Sequence, residues 1–138
     1  MSTSPESQTA SEAAGTVAFL PRQIFVAELV GTALLVLVGL SLVILMFGEG
    51  SPIPGVIPNE DVRRLITGFL FGTTGASIAL SAIGERSGAH INPIVTLAFR
   101  LMGKIDLRTS LGYIAAQLAG GVLGSLPLLA WGAMGRSV

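Results

Sequence analysis

The chain has 138 residues, of which 51% are hydrophobic and only 12% are charged, and its mean hydropathy is +0.76. A soluble domain usually carries about twice that share of charge, so the composition predicts a membrane protein. The formal net charge is zero, which does not support a nucleic-acid partner, and the absence of cysteine excludes disulfides and thiolate chemistry. The one histidine has no cluster of acids near it, so we expect neither a metal site nor a cofactor.

The N-terminal segment is polar and carries no basic residue before Arg22. It is rich in Ser, Thr and Ala and contains Glu6 and Glu12. A signal peptide would begin with positive charge, so we expect a disordered tail over residues 1–22, followed by a single membrane unit over residues 23–138.

Three apolar stretches are long enough to cross a bilayer, at about residues 24–47, 62–84 and 107–133. Hydroxyl residues are scattered through the second stretch, where they are tolerated if they bond back to their own helix or line a protected interior. Small residues recur every fourth position on all three, which lets helix backbones approach closely in lipid. These stripes are Ala27, Gly31, Leu35 and Gly39, then Gly68, Gly72 and Ala76, then Ala116, Gly120 and Gly124.

Between the second and third stretches lies a polar loop and then a short capped helix, at about residues 86–102. Asn92 is a preferred N-cap, and Pro93 suits the first helical position. Gly103 supplies a left-handed stop, and Lys104 suits a helix C-terminus. A helix of about ten residues is roughly half as long as a hydrocarbon core is thick. Half-length helices among full spans place a helix terminus at the middle of a membrane.

That terminus would offer hydrogen-bond donors at mid-membrane. If the Asn92 side-chain oxygen caps the helix, its amide NH₂ remains a directed donor, beside the partial positive charge of the helix N-terminus. The carbonyls of residues 88–91 would need a partner or a wet cavity. Such donors and carbonyls suit a single file of neutral solute and disfavour cations and protons. The alternative is that Asn92 only caps a re-entrant helix with no pore beside it.

Basic residues near the span ends indicate the orientation. A cytoplasmic N-terminus places five of them inside and three outside, which favours this orientation by a margin of two. The inside set is Arg22, Arg86, Arg100, Lys104 and Arg108, and the outside set is Arg63, Arg64 and Arg136.

Three ordered motifs resemble those of the aquaporin, or major intrinsic protein, family. The first is the loop Ser87-Gly88-Ala89-His90-Ile91-Asn92-Pro93 followed by Val95-Thr96-Leu97, which is similar to the first signature loop of the family. The others are Ala27-Glu28-Leu29-Val30-Gly31-Thr32, which resembles its first-helix motif, and Tyr113-Ile114-Ala115-Ala116-Gln117-Leu118-Ala119-Gly120, which resembles its third-helix motif. The resemblance extends from about Phe25 to Trp131.

The resemblance implies an all-α membrane fold, here one repeat with three transmembrane helices and a re-entrant half-helix. It implies a passive channel for water or small uncharged solutes such as glycerol, built from two inverted repeats and assembled as a homo-oligomer, a tetramer in the family. We expect a multi-pass protein of the plasma membrane, in contact with lipid, with a cytoplasmic N-terminus.

The resemblance also implies roles for individual residues. Asn92 would be the midplane donor, next to Pro93 and Ile94, and Glu28 and Gln117 would brace the loop. A carboxylate inside a span is costly unless it is paired, which independently predicts a partner for Glu28. The backbone carbonyls that would line the inner vestibule are those of Gly88, Ala89, His90 and Ile91. For the His90 side chain, partial exposure to the pore and a hydrogen-bonded packing role both stay open.

The sequence differs from the family pattern at the junction of the half-helices, where Ile94 stands in place of Ala. The selectivity-filter position of the second span falls at Phe71 or Gly72, where Phe implies a narrow pore and Gly a wider one. Only one repeat is present, so we expect the chain to be the N-terminal part of a longer protein; a homodimer of opposite insertions is the alternative. A complete pore needs the second repeat.

Two further functions stay open. A membrane structural or assembly module that keeps the fold without conducting is indicated by the small-residue stripes and Ile94. One repeat of an ion-coupled transporter would need intramembrane ionisable groups, for which Glu28 is the only clear candidate. An enzyme is the least supported class, because no nucleophile–base pair or metal cluster is apparent.

Overall fold

The computed structural model describes residues 22–138, and this part of the chain is built from helices joined by short loops. The all-α prediction is therefore confirmed, whereas the tail predicted for residues 1–22 lies, except for Arg22, outside the described residues. The helices are α1 (Arg22–Phe47), α2 (Ile53–Val56), α3 (Glu60–Ala79), α4 (Ala82–Ser87), α5 (Pro93–Leu101), α6 (Leu107–Ser125), a 3₁₀ helix (Leu126–Trp131) and α7 (Gly132–Gly135).

Helices α1 and α6 form the centre of the bundle, and their backbones touch at two glycines. A Cβ added to Gly120 would lie 2.3 Å from the carbonyl oxygen of Leu29, and one added to Gly124 would lie 2.3 Å from that of Ala33. The two glycines stand four residues apart and so share one helix face. The α6 stripe therefore lets α6 lie directly against α1, as small residues do between membrane helices.

Helix α6 begins at an acidic cap. The Asp106 carboxylate accepts the backbone N–H of Thr109 at 3.0 Å and also accepts the Thr109 hydroxyl. These hydrogen bonds stabilise the ionised form, so the pKa of Asp106 is lowered, the Thr109 hydroxyl being the main cause.

Helix α3 packs against α1 at its middle and is anchored at its start. The Phe71 ring covers Gly39, where an added Cβ would lie 2.1 Å from Cε2 of that ring. The Arg63 side chain is buried and donates from Nη1 to the carbonyl oxygens of Ile57 and Pro58, at 2.7 and 3.0 Å. Its guanidinium also lies 5.4 Å from the centre of the Phe47 ring, so one side chain joins both helices to their connecting loop.

The second predicted span is wrong at its C-terminal end. The sequence predicts one span to Gly84, but α3 ends at Ala79 and α4 starts at Ala82. Ser81 causes the break, because its backbone is extended and its hydroxyl accepts the N–H of Ile83 at 3.2 Å as an N-cap.

The third predicted span changes its geometry near its end. The α-helix stops at Ser125 and continues as the 3₁₀ helix, at whose start Pro127 lacks the N–H that an α-helix would use. The indole Nε1 of Trp131 then donates to the Ser41 hydroxyl at 3.2 Å. This contact ties the end of the third span to α1.

Within residues 22–138, two helical segments are long and apolar enough to cross a membrane, Arg22–Phe47 and Leu107–Gly135. Helix α3 has 20 residues but is less apolar, and the crossing of a membrane by three spans stays a prediction. The threonine hydroxyls of α3 bond back to their own helix, which is one of the two arrangements expected for them. These bonds run from Thr67 to the Arg63 carbonyl, from Thr73 to that of Phe69 and from Thr74 to that of Leu70.

Candidate functional site: the half-helix α5 and its loop

The half-helix α5 starts and ends at the residues that the sequence predicts. Asn92 has an extended backbone, and its Oδ1 accepts the N–H of Ile94 at 2.8 Å, with Pro93 next in the chain. After nine helical residues, Gly103 turns left-handed at φ +68°. The Gly103 N–H donates to the Arg100 carbonyl and the Lys104 N–H to the Phe99 carbonyl, which is a Schellman termination. The helix is therefore about 14 Å long, too short to cross a hydrocarbon core.

The loop before α5 has an unusual backbone. Gly88, Ala89 and Ile91 have positive φ values of 83°, 49° and 40°. A β-branched residue such as Ile91 rarely adopts this conformation, and each such residue costs on the order of 1–3 kcal/mol. Among residues 22–138, no hydrogen bond uses the carbonyl oxygens of residues 88–91. The loop is thus held in a strained form that leaves its acceptors available.

The Glu28 carboxylate holds this loop from α1. Its Oε1 accepts the backbone N–H of His90 at 3.0 Å, and its Oε2 accepts that of Ile91 at 2.6 Å. The side chain has no solvent exposure, so these bonds form where water does not compete. The partner predicted for this carboxylate is therefore the peptide backbone of the loop.

Gln117 on α6 completes the support. Its Nε2 donates to Glu28 Oε2 at 2.7 Å and to the Thr96 hydroxyl oxygen at 2.9 Å. Gln117 and Thr96 are 1% and 0% exposed. One amide group therefore connects α1, α5 and α6 at a single buried point.

The His90 side chain is packed inside the buried cluster formed by Glu28, Gln117 and Thr96. It is 5% exposed, and its ring lies 4.5 Å from that of Phe99 and 5.2 Å from that of Tyr113. Its Nδ1 lies 3.1 Å from the Thr96 hydroxyl oxygen. The ring nitrogen and the hydroxyl are thus within hydrogen-bond distance of each other, which joins His90 to α5. This geometry fits the packing alternative for His90.

The remaining predicted residues lie at the surface of the bundle. Asn92 is exposed, and no hydrogen bond among residues 22–138 uses its Nδ2 donor. Ile94, the residue that differs from the family pattern, is 71% exposed and therefore largely uncovered in this part of the protein. On α3, the Phe71 ring is engaged with α1, whereas Gly72 faces open space.

Three further residues contribute to this site, although the sequence analysis gave them no role in it. Thr96 is a buried polar residue in the otherwise apolar first turns of α5, which is a signal for a partner. Tyr113 stands four residues before Gln117 on the same helix face, and its hydroxyl donates to the Ser87 carbonyl at 2.7 Å. Gly31 makes room for Ile91, whose Cγ2 would lie 2.7 Å from an added Cβ.

Comparison with known proteins shows the family to which this chain belongs. The model of the major intrinsic protein family matches residues 14–136. The chain belongs to the major intrinsic protein family. The family assignment made from the three ordered motifs is therefore confirmed.

Curated relatives include several aquaporins. The chain is 34% identical to mouse aquaporin-5 over 99 residues, which is 70% of the chain and 35% of that protein. It is 46% identical to the chicken lens fiber major intrinsic protein over 55 residues, 40% of the chain and 21% of that protein. It is 44% identical to aquaporin-B of Dictyostelium discoideum over 82 residues, 59% of the chain and 24% of that protein. The matches thus span about a third or less of these relatives' length.

Proposed function

We propose that the chain is the first repeat of a passive membrane channel for water or small uncharged solutes such as glycerol. The observation that carries this proposal is the exposed N-terminus of α5, where Asn92 uses Oδ1 for the cap and keeps Nδ2 as a donor. Family membership supports it, and the names of the aquaporin relatives agree with it.

In this proposal, solute passes in single file along the loop and past Asn92. The carbonyls of Gly88, Ala89, His90 and Ile91 accept hydrogen bonds from the solute, and Asn92 Nδ2 donates one. The partial positive charge of the α5 N-terminus, about half an elementary charge, opposes cations at the same point. A neutral solute meets no such penalty, because its hydrogen bonds to water are replaced one by one.

Glu28 and Gln117 act in this proposal as positioning residues that do not touch the solute. The loop carbonyls stay available only while the backbone of Ala89 and Ile91 remains left-handed. The hydrogen bonds that the N–H groups of His90 and Ile91 donate to Glu28 oppose the relaxation of that backbone. The pore lining is then preorganised before solute arrives.

A complete pore requires a second, inverted repeat opposite this one. We propose that residues 23–138 form one repeat, that the second repeat meets α5 at Pro93 and Ile94, and that complete channels form homo-oligomers. The exposure of Ile94 supports this contact. Phe71 or Gly72 would contribute to the filter, and the protein would lie in the plasma membrane with its N-terminus in the cytoplasm.

The test is osmotic shrinkage of vesicles that contain the complete protein. We expect faster shrinkage than in empty vesicles, and we expect Asn92→Leu to abolish the increase. Asn59→Leu is the matched control, because Asn59 also caps a helix but lies at the start of α3. Unchanged permeability of a correctly inserted Asn92→Leu protein would remove Asn92 from the mechanism.

A second candidate is a membrane structural module that keeps the fold without conducting. The bulky, exposed Ile94 favours it, because this side chain lies at the end of α5 where solute would pass. Ile94→Ala separates the two functions. If vesicles with the unaltered protein are no more permeable than empty vesicles, and those with Ile94→Ala are more permeable, the unaltered protein has a pore that Ile94 closes.

A further inference from the structure

A groove lies between the first turns of α1 and the short helix α4, which directly precedes the α5 loop. Its volume is about 300 Å³. Its apolar walls are Val26, Ala27, Val30 and Ile83, and Arg22 and Arg86 line the same groove. The two guanidinium groups come from different helices, since Arg22 is the first residue of α1 and Arg86 lies in the last turn of α4.

The position of the charges along α1 matches the depth profile of a membrane. Val26 and Val30 follow Arg22 by one and two helical turns, or about 6 and 12 Å along the axis. Arg22 therefore lies at the end of the span, where basic side chains meet headgroups, and the valines lie at the depth of acyl chains. An apolar groove that opens between two cationic side chains is complementary to an amphipathic anion.

We propose that this groove binds one anionic phospholipid, with an acyl chain along Val26 and Val30 and the phosphate between Arg22 and Arg86. A guanidinium pairs with phosphate oxygens through parallel N–H groups, so two of them can hold one phosphate from both sides. Asn92 and the four residues that carry the loop carbonyls do not line the groove, so the lipid binds whether or not the protein conducts.

The test counts lipids that remain bound to the complete protein. Delipidated protein in a non-ionic detergent is titrated with phosphatidylglycerol or phosphatidylcholine of the same acyl chains, and native mass spectrometry measures occupancy. We expect phosphatidylglycerol to bind at lower concentration than phosphatidylcholine. Arg22→Gln and Arg86→Gln should each raise the half-saturating concentration of phosphatidylglycerol about fivefold, without affecting phosphatidylcholine.

Two controls separate this site from diffuse attraction. Arg108→Gln removes another exposed basic residue, at the start of α6, and should change nothing. Val26→Trp fills the groove but keeps both cations, and it should lower phosphatidylglycerol binding. Equal binding of the two lipids, an Arg108→Gln effect as large as that of Arg22→Gln, or displacement by inorganic phosphate alone would overturn the proposal. If a second copy or a second repeat covers the groove, no groove variant changes lipid binding, which also overturns it.

Discussion

Glu28 on α1 accepts the backbone N–H of Ile91 at 2.6 Å, across 63 residues of chain. Ile91 is the β-branched residue with φ +40°, so the strongest backbone anomaly of the structure is also a point where a buried carboxylate binds. Both the strain of the loop and the desolvation of the carboxylate cost free energy, and the hydrogen bonds that His90 and Ile91 donate to Glu28 offset these two costs together. Neither feature would persist alone.

Glu28→Gln should therefore destabilise the protein. A glutamine has one acceptor oxygen, while the N–H groups of His90, Ile91 and Gln117 all need an acceptor. At least one buried donor then has no partner, which costs about 1–3 kcal/mol in the free energy of unfolding. Denaturant titration of the complete protein measures this. Glu85→Gln removes an exposed carboxylate on α4 and should leave stability unchanged; equal effects of the two would refute the bracing role.

Thr96→Val tests the link between α5 and α6. Valine has nearly the same shape but cannot accept from Gln117 Nε2 or bond His90 Nδ1. We expect a loss of about 1–3 kcal/mol in the free energy of unfolding. Thr73→Val is the comparison, because Thr73 is exposed and bonds only the Phe69 carbonyl, and its effect should stay within about 0.5 kcal/mol. If both variants behave alike, Thr96 has no bridging role.

Gly120→Ala should force α1 and α6 apart, because its Cβ would lie 2.3 Å from the Leu29 carbonyl oxygen. We expect destabilisation of about 1–3 kcal/mol, measured by the same titration. The neighbouring Gly121 has nothing within 4 Å of an added Cβ, so Gly121→Ala should be neutral or stabilise by up to about 1 kcal/mol. A harmless Gly120→Ala would mean that the helices do not approach as closely as this.

The Asp106 cap predicts a specific pH dependence. Its pKa is lowered in the folded protein by the Thr109 hydroxyl and N–H, so the ionised cap stabilises the fold above the carboxyl's ordinary pKa. That contribution is lost as the pH falls through the lowered pKa of the folded state. The stability of Asp106→Asn should therefore change less than that of the unaltered protein below about pH 4. Unfolding curves at pH 7 and below pH 4, with Glu49→Gln as the control, test this; parallel pH profiles of Asp106→Asn and the unaltered protein would contradict it.

Local features of the half-helix were predictable because they depend on neighbours in the chain. The Asn92 cap, Pro93 at the first helical position and the turn at Gly103 each involve residues within a few positions of one another. The same local logic failed at Ser81, because a serine in an apolar stretch can bond back to its helix and also cap a new one. Here its hydroxyl donates to the Ile78 carbonyl at 2.7 Å and accepts the Ile83 N–H as the cap of α4, and the apolar pattern on either side does not predict the cap.

The sequence by itself determined the helical membrane class, the capped half-helix and the family, because composition, capping chemistry and ordered motifs do not depend on how the helices pack. It also predicted that Glu28 needs a partner. Only the tertiary structure decided which groups surround the Glu28 carboxylate. They are the N–H groups of His90 and Ile91, with Gln117 and Thr96 beside them. Those contacts join residues up to 89 positions apart, and they exist only because Gly120 and Gly124 bring α6 directly onto α1.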